Sequence, residues 1–490
     1  MIMEEAYMDS AMKDRAAGVL LGQGSGDALG VPYEFGTPPT GEAEMLGGGL
    51  GSYEPGEWSD DTQMALCIAQ VAATGVDLRS ASALDEIALA FEDWMRGGPS
   101  DVGFQTGSVL YAAAPLDGHE AEQLTRASHA FYESSGRAAG NGGLMRTSVV
   151  GLSAISDRSA TAQAARAIAA LTHADPLAGD SCVLWSEAVR LAVTERRLDV
   201  RAGLDLIPDD RRAQWTAWID EAEAPDAAQR LRNNGFTVTA LQAAWHAIHT
   251  TAVPANDREA GSFACQHLQH ALHAAVRIGG DTDTVAAIAG GLLGAYWGGS
   301  AVPARWRRIV HGWPGKRARD LIALGLRTAA GGQPDGRGWP TAARMSYDWV
   351  QPGQGVAHPG DSGVILGSVK TSGHGCDAVV SLCQRGTAEV PLPGNQVQDH
   401  VEVWLMDSED PADNPNLDFV LADTAAVIAN LRAEGRRVLL HCVAAEQRTP
   451  TAAVAYAAHL GQDRAQAAAQ VRTALRSTRG EGLLWDRVRH

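Results

Sequence analysis

The chain has 490 residues, 45% of them hydrophobic and 20% charged, enough apolar sequence for more than one core and too little charge for a disordered chain. Its formal net charge of −18 and pI near 5.2 exclude the basic footprint of a nucleic-acid or anionic-membrane binder. The six cysteines, Cys67, Cys182, Cys265, Cys376, Cys383 and Cys442, show neither zinc-ligand nor CxxC spacing, so no disulfide framework is expected.

Residues 1–5 are acidic and lack the apolar core of a signal peptide. The most apolar run, 285–297, is too short to span a bilayer. A soluble, cytoplasmic protein is expected.

Residues 1–13 read as a lead-in and 14–25 as a first helix, in which Gly18, Gly22, Gly24 and Gly26 imply close packing. The block 26–30 reads either as a helix C-cap and turn or as backbone lining a site. Glu34 follows between Pro32 and Gly36, and 37–57 is a loop by its glycines and prolines. Helical periodicity resumes at 60–75 and 82–96, and 97–107 breaks it. The turn 137–143 is glycine-rich and opens a helix, so its free N–H groups suit a phosphate, although a plain inter-helix turn reads the same way. His173 precedes Asp175, Pro176 and a long helical pattern. Alternation of β-branched residues is sparse through 1–330, so this region is expected to be all-α. The histidines between 246 and 273 lack ligand spacing and receive no role.

Two clusters carry chemistry. Ser59, Asp60, Asp61 and Thr62 open one helix; Asp281, Thr282, Asp283 and Thr284 open another behind Gly279 and Gly280. Each alone is also an ordinary N-cap with acids in the first turn. Asp281 and Thr284 share a face of the first turn, and oxygen ligands gathered there suit a hard divalent cation, Mg²⁺ or Mn²⁺. Brought together, the two clusters would hold two ions about 3.5–4 Å apart.

These clusters resemble the paired metal motifs of the ADP-ribosylglycohydrolases. Gly26–Gly30 with Glu34 resembles that family's opening motif, 140–146 its glycine-rich substrate loop, and 172–175 a fourth block, all in the family's order across roughly 14–330. The resemblance implies two divalent metals on Ser59, Asp60, Asp61, Asp281, Asp283 and Thr284. It implies substrate contacts from Asp27, Gly140, Asn141, Gly142 and His173, and catalytic roles for Glu34, Asp60 and Asp61. The implied substrate is an ADP-ribosylated protein or ADP-ribose derivative. Ser59 stands where the family often has Thr.

Residues 331–350 read as a linker. Beyond it, 362–369, 378–383, 400–406 and 437–441 read as strands and 416–434 as a helix, an α/β domain over 351–490. After the last strand comes Cys442, five residues, Arg448, Thr449 and a helix. Such a loop cradles an anion on backbone N–H groups while the arginine clamps it. The same field activates the thiol as a nucleophile, and Thr449 is placed to stabilise the thiolate. This resembles the cysteine-dependent phosphatases of the tyrosine and dual-specificity type. The resemblance implies Cys442 as nucleophile, Arg448 on the phosphate, and Asp407, or alternatively Asp410, as general acid. The loop departs from the common pattern at Ala445, where Gly is usual, and at Glu446, which adds a negative charge.

The expected architecture is thus multi-domain: an all-α ADP-ribosylglycohydrolase-like bundle over 1–330, a linker, and a small α/β phosphatase-like domain. The alternative for the whole chain is a sensor of ADP-ribosyl or phosphoryl groups with a silent C-terminal domain.

Overall fold

Two helices in the N-terminal region touch backbone to backbone, and the rest of that region is arranged around them. They are α1, Ser10–Gly30, and α3, Thr282–Trp297, which run antiparallel and are buried on nearly every side. The computed structural model describes residues 8–136, 138–372, 375–392 and 395–490, so the acidic residues 1–5 and Arg137 lie outside the described residues.

Glycines four apart make the contact possible. A Cβ on Gly18 would lie 2.2 Å from the Gly294 oxygen, one on Gly22 2.2 Å from the Gly290 oxygen, and one on Gly26 2.1 Å from the Ala286 oxygen. Gly30 continues the row, with a Cβ there falling 2.4 Å from Asp283 Cα. The helix therefore begins at Ser10, behind the N-cap Asp9, and runs through Gly30 rather than stopping near 25. The reading of 26–30 as a C-cap turn is corrected: these are packing glycines, and the partner helix stabilises what glycine propensity alone disfavours.

The antiparallel pairing sets the C-terminal end of α1 against the N-terminal end of α3. A third helix, α2 (Asp60–Ala72), starts at the same place. Helices such as Pro176–Glu195, Thr237–Thr250 and His267–Ile278 surround the pair, and Trp58, Trp94, Trp185 and Trp215 fill the spaces between them without exposure. The expected all-α character holds, apart from a two-residue hairpin pairing His311–Gly312 with Lys316–Arg317. His267 and His273 are buried among core aromatics, Trp297 and Trp306 respectively. No described helix is long and apolar enough to cross a membrane.

Residues 331–350 join the two regions and pack along the second. Met345, Tyr347 and Val350 form a small core with Cys383 and Val443. Beyond them lies a five-stranded sheet in the order β1-β2-β5-β3-β4: Val356–His358, Asp361–Ser368, Val438–Cys442, Ala378–Ser381 and His400–Glu402. All neighbours are parallel except β1 with β2. The four expected strands are present, with β4 reduced to three residues; the edge strand β1 was not anticipated. Helix α4 (Leu417–Ala433) falls where expected and α5 (Arg448–His459) follows β5. The region docks on the end of α3: Asn416 Nδ2 donates to Trp297 O at 2.6 Å, and Ala304 N donates to Asp423 Oδ2 at 2.9 Å.

Inside the sheet, Ser381 Oγ lies 2.8 Å from His400 Nε2 and 2.7 Å from His441 Nε2. One hydroxyl gives its proton to one ring and accepts from the other, so both imidazoles serve as neutral groups. Burial, and then the nearby Arg385 charge, pushes both pKa values down to about 3. Unfolded imidazoles titrate near 6.5, so the unfolded state binds protons first as pH falls. The stabilisation is present above about pH 6.5 and declines toward 3, by about 1.4 kcal/mol per pH unit for each ring. Urea unfolding of the α/β region at pH 7.5 and 5 checks this: its midpoint is expected to fall markedly at pH 5, and an unchanged midpoint would contradict the assignment.

Candidate metal-binding active site

The first residues of α2 are capped from another helix. Ser59, its N-cap residue, makes no cap bond of its own. Instead Asp27 on α1 accepts from Ser59 N and Ser59 Oγ at 2.8 Å each through Oδ1, and from Thr62 N at 2.9 Å through Oδ2. Asp27 is fully buried, and burial pushes its pKa up to about 6 against those hydrogen bonds. The resemblance places it on the substrate; here its oxygens fasten α2 to α1.

The start of α3 is fixed by Asn234, which sequence reasoning missed. Its Oδ1 accepts from Asp281 N at 2.8 Å and its Nδ2 donates to Gly279 O at 2.9 Å. Gly280, at φ +82°, has no room for a side chain: a Cβ would sit 2.1 Å from Arg232 O. Thr282 Oγ1 donates to Gly30 O at 2.8 Å, which ties the end of α1 to the start of α3.

Five carboxylates thereby meet. Oxygens of Asp27, Asp61 and Asp283 lie within 4.8 Å of one another, and Glu34, Asp281 and Asp283 form a second such group. Asp283 belongs to both. Among the described residues, no ion pair reaches any of these five or Asp60. Asp61 Oδ1 is buried with no hydrogen-bond partner. Burial, followed by repulsion from neighbouring acids, holds Asp60, Asp61 and Asp283 well above the usual carboxylate range. Glu34 is pushed up to about 9 by burial and then by Asp281, Asp101 and Asp60. A buried, all-oxygen, unpaired acidic set is what a hard divalent cation fits.

The cluster opens on a cavity of ≈ 960 Å³. Glu34, Asp60, Asp281 and Thr284 lie at one end, and Gly140, Asn141, Gly142 and His173 form a wall. Ser59 is fully buried behind them, its hydroxyl also 2.9 Å from Asp61 Oδ2. Asn141 Nδ2 donates to Asp281 Oδ2 at 2.7 Å, joining the glycine loop to the acids. Arg146, wholly buried over the Phe91 ring, donates to Thr172 Oγ1 at 2.6 Å. Thr172 Oγ1 lies 2.8 Å from His173 Nδ1. Thr172 Oγ1, accepting from Arg146, has its own proton to give to Nδ1, an arrangement that would put the His173 proton on Nε2. Burial and the Arg146 charge push its pKa down to about 3. Gly140 and Gly142 face this nitrogen; a Cβ on either would come within 3.2 Å of it.

A family model described as ADP-ribosylglycohydrolase matches residues 8–336. The chain belongs to the ADP-ribosylglycohydrolase family. Over 300 residues it is 29% identical to the ADP-ribosylarginine hydrolase Tri1 of Pseudomonas putida, covering 60% of this chain and 73% of that one. It is 28% identical to the ADP-ribosyl-[dinitrogen reductase] glycohydrolase of Rhodospirillum rubrum, covering 60% and 90%, and 26% identical to human ADP-ribosylhydrolase ARH3, covering 55% and 78%. A solved structure called an ADP-ribosylglycohydrolase-related protein complex aligns at 26% identity and TM-score 0.48, covering 66% of this chain and 99% of that one.

The family match stops short of the α/β region. There Cys442 ends β5, buried, and the next five residues lead into α5 at Arg448. Ala445 adopts φ +60°, the left-handed conformation that glycine accepts freely. Arg448 Nη1 donates to Leu382 O at 2.6 Å, and its Nε lies 3.7 Å from Asp407 Oδ2. Glu446 turns to Arg479, 3.7 Å away. Thr449, expected at the thiolate, donates instead to Gly367 O at 3.3 Å. Asp410, the alternative acid, caps a turn by accepting from Ala412 N at 2.9 Å, whereas Asp407 lines a ≈ 300 Å³ cavity with Cys442 and Arg448. Ala445→Gly is expected to stabilise the α/β region by about 1 kcal/mol by removing the left-handed alanine. Urea midpoints check it; a loss of stability would contradict it.

Proposed function

We propose that the helical region hydrolyses the bond joining ADP-ribose to its acceptor. The observation that carries this reading is Asp283, itself buried, standing in two carboxylate groups at once. Asp61 and Asp283, with Asp60, Asp281, Ser59 and Thr284 around them, would hold two divalent ions, Mg²⁺ or Mn²⁺. When bound, such ions polarise a water and the ribose hydroxyls. The rest is the work of the chain. Gly142 and the His173 ring line the cavity where a diphosphate would lie, while the amides of Gly140 and Asn141 are held by Gln105 Oε1 and Gly235 O. Phe104, Phe131, Phe236 and Leu177 supply an apolar wall for a base. Glu34 reaches both the acids and the cavity, and burial and the neighbouring carboxylates push its pKa up to about 9 in the metal-free chain, so it is the group placed to exchange a proton at the scissile bond.

Two similar proteins carry names that specify ADP-ribosylarginine and ADP-ribosyl-dinitrogen reductase, so arginine-linked ADP-ribose is the first substrate to try. Matched proteins bearing ADP-ribosyl-arginine or ADP-ribosyl-serine separate the linkages. Faster release from arginine is expected, and exclusive release from serine would contradict this assignment.

A second reading concerns the α/β region, favoured by the position of Cys442-x5-Arg448 between β5 and α5 with Asp407 beside the arginine. It takes the loop as a phosphate site, Cys442 as nucleophile toward phosphorus and Asp407 as proton donor to the leaving oxygen. Hydrolysis of an aryl phosphate that disappears in Cys442→Ser is the expected result. Binding of phosphate without turnover makes the domain a sensor.

A further inference from the structure

A separate cavity of ≈ 380 Å³ lies between the segment that follows helix Ala318–Ala329 and the C-terminal ends of β3 and β4. Two of its walls are indoles. Trp339 comes from the connecting segment and Trp404 from the chain just past β4; their rings meet edge to face, 5.9 Å apart at 64°. Tyr347 and Arg337, also from the connecting segment, and Arg319 and Gln384 complete the lining that matters. Residues joining the two regions therefore build part of a concave site on the α/β region.

This cavity adjoins the one over Cys442. Arg337, Tyr347, Asp407, Val443 and Arg448 line both. Arg307, Arg319, Arg337 and Arg448 line this cavity, together with the acids Glu402, Asp407 and Asp413. Arg319 is paired with Glu402 at 2.9 Å, while Arg337 donates to Gln384 Oε1 at 2.9 Å and makes no ion pair among the described residues. An anion-holding loop on one side and flat aromatic walls with arginines on the other ask for one kind of molecule: a phosphate carried by an aromatic ring system. Indole and phenol faces stack on such rings, and guanidinium groups stack on them or bond their edges. The volume is that of a small-molecule site. Gln384 and Asp413 in the lining supply polar partners for a base edge.

We infer that the α/β region takes a small nucleotide, with its base in the Trp339–Trp404 cavity and its terminal phosphate on the Cys442–Arg448 loop. The inference rests on the phosphate reading of that loop. It goes beyond it by naming the ligand class and by giving the connecting segment a binding role. Both sites of the chain would then handle nucleotides.

The test is calorimetric binding to the full-length Cys442→Ser protein, using orthophosphate, 5′-AMP and adenosine. AMP is expected to bind at least tenfold tighter than orthophosphate. Trp404→Ala is expected to bring AMP down to the affinity of orthophosphate and leave orthophosphate unchanged, because Trp404 does not line the Cys442 cavity. Trp339→Ala, whose ring lies against that of Trp404, is a second variant with the same expectation. Quenching of tryptophan emission by AMP but not by orthophosphate gives a readout in unmutated rings. Equal affinities for AMP and orthophosphate, indifferent to both tryptophans, would overturn the cavity's role and leave the loop reading standing. Binding of neither would remove the loop reading and the inference with it. A phosphotyrosine peptide that binds tighter than AMP would also overturn the inference.

Discussion

Asp283→Ala is expected to lower metal-dependent ADP-ribose release by at least about 10³-fold, ~4 kcal/mol of barrier. The expectation follows from its position. Asp283 is the one acid shared by both carboxylate groups, and it is buried. Removing any other member depletes one group; removing this one depletes both. The variant should nevertheless fold. Asp61, Glu34 and Asp281 all repel Asp283 in the metal-free protein. Deleting one charge from a buried like-charged set relieves that repulsion, so metal-free stability should hold or rise. Turnover by initial rates and stability by urea midpoint, measured on the same preparation, separate the two effects. Asp27→Ala is the instructive contrast. It removes the acceptor for three α2 donors, so it should destabilise the metal-free protein as well as impair release. Wild-type rates in Asp283→Ala would contradict the assignment of the site.

The largest structural effect is expected from the smallest side chain. Gly22→Ala puts a methyl 2.2 Å from the Gly290 carbonyl oxygen, a contact with backbone that no rotamer relieves. The helices must part, at an expected cost of ~3 kcal/mol or more. Moving α1 off α3 also separates Asp27 and Glu34 from Asp281 and Asp283, so metal affinity should fall with stability. Gly41→Ala is the control, since nothing lies within 4 Å of a Cβ there. Denaturant midpoints decide: a Gly22→Ala protein as stable as the control would contradict the backbone contact between α1 and α3.

The chemistry was more legible than the geometry that assembles it. Acids and hydroxyls at helix starts are local patterns, so Asp60, Asp61, Asp281 and Asp283 could be singled out from short stretches. The glycine loop at 140–142 and His173 were legible in the same way. The length of α1 was not. Glycines every four residues read locally as helix-weakening, and only the matching small residues of α3 turn them into a contact surface. Asn234 and Arg146 act across 47 and 26 positions, on Asp281 and Thr172, and nothing in their neighbourhoods announces it. The bonds from Asp27 to Ser59 and Thr62 were not legible, because a motif reports that a residue matters, not which neighbours it bonds. In the α/β region, strand, Cys-x5-Arg and helix were readable in order. Strand β1 was too short to show alternation. The Trp339–Trp404 cavity draws on a segment that read only as glycine- and proline-rich connection, so no local pattern pointed to it.

Three helix ends bring one shared set of acids together, the set proposed to hold divalent ions for ADP-ribosyl hydrolysis. The most direct test of that proposal is to strip the protein with EDTA and titrate Mn²⁺ back. Bound ions are counted by electron paramagnetic resonance, and ADP-ribose release from an arginine-ADP-ribosylated protein is followed in the same samples. No release is expected in EDTA, with recovery that tracks occupancy of up to two ions per chain, and neither binding nor recovery is expected in Asp283→Ala. Full release from the stripped protein, or ions bound equally well without Asp283, would contradict it.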